Sequence, residues 1–294
     1  NQVLTPDPVT SADRLFLTPE RLDAINTQRE NGGIHYTTMV NVANAYLDEL
    51  EESSHERVAT YALLYRITGD QEYLDLSKHF FKKLYGSDPN WGWAEVCEGN
   101  NFRTDSKWAF MTYSWLYDEF TEEERAVMVK NFALWGEFWL QTALRTNPKG
   151  AKLRYVDSDL VTELPENLTA LGLILKGTEI SDRLFAAADK IFEEAVIPTY
   201  LQGIFAGGLW GEGPEYSAGT NVHWPLTFEI NKAHRPEVYA RYLEKGIDPS
   251  KFYNDSIEGL INTSLPGMRA VYENGDVQEA GYFPDGDWEA DEHI

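Results

Sequence analysis

Apolar residues in this chain recur at helical spacing, and two successive stretches halt at a glycine. Met39, Val40, Ala43, Tyr46, Leu47 and Leu50 mark one face of a helix over 36–50. The pattern repeats over 58–67 and halts at Gly69, then runs over 72–84 and halts at Gly86. The string RITGDQEYLDLSKHFFKKL therefore reads as helix, glycine stop, acidic N-cap, helix. A chain punctuated in this way folds into antiparallel helical hairpins, because short turns leave consecutive helices side by side.

The same reading covers most of the sequence. Thr18, Pro19 and Glu20 form an N-cap, a proline at the first position and an acid in the first turn. Helix resumes over 104–120. TEEE at Thr121 is a capping-box signature that opens a helix to about 144. Further helices are predicted over 165–176, 180–201, 214–232, 236–245 and 249–265. No run of strands is evident, and no repeat of fixed period points to a solenoid. The predicted class is all-α, arranged as an α/α toroid, an incomplete barrel of antiparallel helical hairpins. It occupies residues 1–267, with 268–294 an irregular tail or the start of a C-terminal β domain. Residues 89–103 and 146–159 break the helical period, and long irregular segments with aromatics and glycines are more often functional than connective.

Composition limits the partners. Forty-three per cent apolar residues supply an ample core, and the formal net charge is −23. So negative a chain repels nucleic acid and anionic membrane surfaces. An anionic polysaccharide stays open, provided basic residues line the cleft. Nine tryptophans offer flat apolar faces for sugar rings as well as for a core. The single cysteine, Cys97, forms no intrachain disulfide and does not separate cytoplasm from periplasm. The start, NQVLTPDPVTSADR, is polar, as in the exposed beginning of a mature chain. No window reaches the length and apolarity of a membrane span.

Chemistry concentrates in GGLWGEGPEYSAGTNVHW, which gathers Trp210, Glu212, Glu215, Tyr216, Asn221, His223 and Trp224 around a glycine-rich turn. Pro214 is placed as the first residue of a helix. Tyr216 then falls in the first turn, where the positive end of the helix dipole favours a phenolate. His223 lies seven residues on, two turns along the same side and about 10 Å away. Near the aromatic loop, Arg103 and Lys107 are candidate carboxylate binders, with arginine favoured for its bidentate fork. Trp91, Trp93, Trp108 and Trp210 are candidate sugar platforms.

Three segments resemble the heparinase II/III-like and alginate-lyase-like polysaccharide lyases built on an α/α toroid. They are TGDQEYLD from Thr68, NNFRTDSKWAFMTYSWLYDE from Asn100, and Glu166–Asn167 followed about fifty residues later by EGPEY. The resemblance implies β-elimination on a uronate polymer, with Asn167 neutralising the substrate carboxylate and Tyr216 acting as base and acid. His223 and Arg103 would supply supporting charge, and Glu212 would orient a partner. It implies no organic cofactor and no metal, a secreted or periplasmic location, and in many members a β-sandwich after the toroid. The residues suit that chemistry. The C5 proton is weakly acidic while the neighbouring carboxylate carries its charge, so an amide at the carboxylate makes the enolate-like state accessible. A base must then reach C5 and an acid must reach O4.

Two other readings fit the sequence. A toroid glycosidase would oppose two carboxylates across a glycosidic bond, for which Asp105 or Asp118 with Glu212 qualify after folding. A carbohydrate-binding protein would use the aromatics without catalysis. A metal centre lacks its usual spacings, although 285–287 is an acidic loop, and no phosphate-binding loop is present.

Overall fold

A computed structural model describes residues 4–45, 55–85, 106–143, 164–197, 214–252, 254–255 and 258. The described residues are all-α, with no strand among them. The helices are α1 (Pro19–Glu30), α2 (Ile34–Ala45), α3 (His55–Thr68), α4 (Gln71–Tyr85), α5 (Ser106–Trp115), α6 (Glu122–Ala143), α7 (Leu164–Ile174), α8 (Glu179–Ile191), α9 (Pro214–His234) and α10 (Pro236–Glu244). Among these, none is long and apolar enough to cross a membrane.

The boundaries follow local chemistry. Gly69 sits at φ +72°, a left-handed conformation that side chains with a Cβ resist, and it ends α3. Asp70 Oδ1 then accepts from the Glu72 backbone N–H at 3.0 Å and caps α4. At α6 the capping box is complete: Glu124 N–H donates to Thr121 Oγ1 at 3.2 Å, and Thr121 N–H donates to Glu124 Oε2 at 2.9 Å. α5 ends earlier than its apolar pattern predicts. The chain passes instead into a 3-10 turn, Tyr117–Glu119, and Arg125 takes the carbonyls of Tyr117 and Phe120. α8 is prolonged by a π-helical turn, Phe192–Val196.

Two compact units divide the chain. The first comprises residues 1–145 and 167–187. In it α3 packs on both α4 and α5. Tyr61, Phe80, Phe81, Phe110, Tyr113, Phe132 and Trp135 fill its core. Phe132 and Trp135 meet edge-on with centroids 5.4 Å apart, Phe81 and Phe120 are tilted at 5.6 Å, and Tyr61 and Phe80 stack at 6.2 Å. Trp115 Nε1–H donates to the Leu15 carbonyl at 2.7 Å, and Leu15 N–H donates to Ser114 Oγ at 2.8 Å, so the N-terminal segment is tied to α5. At Gly177 (φ +85°) a Cβ would stand 2.7 Å from Asp7 Oδ1. Here the same segment approaches the turn between α7 and α8.

The second unit comprises residues 146–166 and 188–294. Phe192, Val196, Trp224, Phe228, Val238, Tyr242, Ile247 and Phe252 form its core. Phe192 lies 4.3 Å from Tyr242, and Trp224 lies 5.4 Å from Phe252, centroid to centroid. Ion pairs border this core. Arg235 grips Asp189 through both guanidinium nitrogens, at 2.8 and 2.7 Å. Arg241 also reaches Asp189, and Lys245 reaches Glu193 at 2.6 Å. A bidentate, largely buried pair of this kind orients helices as well as stabilising them.

The predicted tail, 268–294, and the predicted loops, 89–103 and 146–159, lie outside the described residues. So does most of the helix predicted over 249–265, of which 249–252, 254–255 and 258 are described and helical.

Candidate functional site

Glu166 lies in the first turn of α7, after Pro165 and among Leu164, Leu168, Ala170 and Leu171. A carboxylate in so apolar a helix is carried into the interior, where it needs a partner. The structure supplies one from 57 residues away. His223 Nδ1 stands 2.6 Å from Glu166 Oε2, with the side chains only 6% and 1% exposed. Which of the two atoms donates depends on the tautomer of the ring. At this distance the contact is a short hydrogen bond. The second carboxylate oxygen, Oε1, is buried and has no hydrogen-bond partner among the described residues.

α9 carries His223 and begins at Pro214, as the sequence predicts. Tyr216 is therefore at the third position of the helix, in its first turn; its side chain lies outside the described set. Positions 216 and 223 fall on one side of α9, about 10 Å apart along its axis. Just beyond, Pro225 sits inside the helix and has no N–H to offer the carbonyl one turn back. Downstream polar side chains fold against the helix backbone. Thr227 Oγ1–H donates to the His223 carbonyl at 3.0 Å, and Asn231 Nδ2–H donates to the Thr227 carbonyl at 2.8 Å. His223 is thus held through both its ring and its carbonyl. Trp224, next to it, is fully buried in the core.

Asn167 is fully buried, and its Oδ1 accepts from Ser106 Oγ at 3.3 Å in the first unit. On α5, Lys107 and Trp108 are partly exposed neighbours, with the Lys107 ammonium 5.3 Å from the Trp108 ring centroid. That spacing is a cation–π contact on the helix surface. Trp91, Trp93, Arg103, Asp105, Trp210 and Glu212 lie outside the described residues. Asp118, an alternative carboxylate, is largely exposed and pairs with Arg14 at 3.0 Å. Among the described residues, no group of three or more His, Cys, Asp or Glu side chains converges.

Sequence reasoning placed Glu166 beside Asn167 as a motif and gave it no task of its own. The signal that singles it out is burial. One acid inside LPENLTALGLI has to be neutralised from elsewhere in the fold, and histidine is a frequent candidate. No family model, curated protein or solved structure matches the chain.

Proposed function

We propose that this protein is a polysaccharide lyase that cleaves a uronate-containing polymer by β-elimination, on an α/α toroid of helical hairpins. One observation carries the reading: a buried carboxylate–imidazole pair, 2.6 Å across, anchors the helix whose first turn bears Tyr216. A histidine buried with an acid, on the tyrosine's side of one helix, is a costly arrangement for packing alone. It suits a site that moves a proton.

In the proposed reaction the Tyr216 phenolate removes the C5 proton. The C–H electron pair becomes the C4–C5 double bond as the C4–O4 bond breaks, and the phenol returns its proton to O4. The ordinary tyrosine value is near 10, so the phenolate needs help, and the N-terminal end of α9 supplies part of it. Asn167 keeps the role of neutralising the substrate carboxylate. Since its amide is buried and bonded to Ser106, that role requires the side chain to be uncovered when polymer binds. Arg103 and Lys107 would engage further carboxylates, and Trp91, Trp93, Trp108 and Trp210 sugar faces. The substrate places the protein outside the cytoplasm, secreted or periplasmic.

The test is product chemistry. The purified protein is incubated with alginate, glucuronan, ulvan, heparin-like and hyaluronan-like polymers, and the fragments are weighed. Elimination yields fragments carrying an unsaturated uronate, lighter by one water than hydrolysis products. Fragments of hydrolytic mass would replace the reading with a glycosidase. Retention on polymer with no fragments would replace it with a binding protein.

A further inference from the structure

The sequence of α2, IHYTTMVNVANA, contains no Asp, Glu, Lys or Arg. Of the ten described α-helices it alone has none, in a chain of which 25% is charged. Its inner side is laid out for a core: Tyr36, Met39, Val40 and Ala43 follow at i, i+3, i+4 and i+7. Ala43 is buried, and its carbonyl lies 3.4 Å from the hydroxyl of Tyr61 on α3. The outer side is different. Ile34 is 74% exposed and Val42 47%, with Thr38 exposed between them. These three stand at i, i+4 and i+8, so they form one ridge along the helix. A lone apolar side chain at a surface needs no explanation, but an apolar ridge on the one helix without charge does.

Charge decides what covers this ridge. A net charge of −23 holds copies of the chain apart and attracts basic partners. A basic partner would find no acid on α2 to pair with. In a two-fold contact, by contrast, side chains near the axis meet their own copies, so any charge there repels its twin. A helix without charge is what such a contact requires.

We propose that α2 is a two-fold contact between two copies of this chain, with the ridge of Ile34, Thr38 and Val42 at its centre. The helix is about 18 Å long, and one helix crossing covers less than the ~800 Å² per partner of a standard interface. The dimer is therefore weak and concentration-dependent. It does not rest on the elimination reading.

Sedimentation equilibrium of the full chain, from micromolar to sub-millimolar concentration, tests it. The expected result is a monomer–dimer equilibrium that shifts toward dimer between about 0.1 M and 1 M salt, because salt screens the repulsion between two acidic bodies. Ile34→Glu combined with Val42→Glu should raise the dimer dissociation constant at least ~10-fold, with circular dichroism and melting temperature unchanged. Thr38→Cys, in a Cys97→Ser background, should give a disulfide-linked dimer on oxidation, since residues beside a two-fold axis come within disulfide range. A chain that stays monomeric across the range overturns the proposal and leaves the face to a partner of another kind. A dimer that survives the double substitution also overturns it. Should the double variant fail to fold, the Thr38→Cys cross-link decides, and its absence overturns the proposal.

Discussion

Glu124 ties α6 to α4, and replacing it with glutamine isolates one electrostatic contribution. Burial alone would push its carboxyl up. The hydrogen bond from Lys82, the Thr121 backbone N–H and the Lys78 ammonium outweigh burial and hold it at about 2, against an ordinary 4.5. Lys82 Nζ lies 2.5 Å from Oε1 and Lys78 Nζ 3.3 Å from Oε2. By linkage, a depression of that size corresponds to at most ~3 kcal/mol. Lys82 is half exposed, and solvent screening reduces the figure to roughly 1–2 kcal/mol. Glutamine keeps an acceptor for the Thr121 N–H, so the capping box survives and the charge alone is lost. The folded value lies below the unfolded one, so the stabilisation is fully present above about pH 4.5 and is lost as pH falls toward 2. Urea unfolding of both proteins at several pH values between about 3 and 6 measures it. Glu124→Gln should be less stable by roughly 1–2 kcal/mol at the upper end, and the gap should narrow as pH falls. A gap that is absent, or that stays constant across the range, refutes the argument.

Three further outcomes are expected. Arg235→Ala removes the bidentate grip on Asp189 and should cost about 2–3 kcal/mol in urea unfolding. Arg235→Lys should recover little, since an ammonium cannot reproduce the fork. Gly177→Ala should cost about 1–2 kcal/mol in thermal unfolding, because the new Cβ meets Asp7 and the backbone at φ +85° suits glycine.

What was readable in the sequence was local. Gly69 with Asp70, and Thr121 with Glu124, carry their own geometry, and the helices they bound begin and end beside them. Pro214 and Pro236 open α9 and α10 for the same reason. Where distant residues decide, the reading ran short. α5 stops at Trp115 because Arg125, from the following helix, claims the carbonyls beyond it. The π turn after α8 turns Phe192 and Val196 into a core shared with α9, α10, Ile247 and Phe252. The division at 145–146 and 166–167 follows contacts between remote segments, not a shift in composition. The site shows the same limit. His223 was legible as a candidate from its spacing to Tyr216, but its partner Glu166 is 57 residues away, and nothing local links the two.

The elimination claim stands on one phenol. The direct measurement follows the ultraviolet absorbance of unsaturated uronate as a cleaved polymer is digested by wild type and by Tyr216→Phe, with folding and polymer retention checked on both. The account predicts a rising signal for the wild type and none for Tyr216→Phe, with both proteins folded and both retained. Undiminished absorbance from the Tyr216→Phe protein would contradict it.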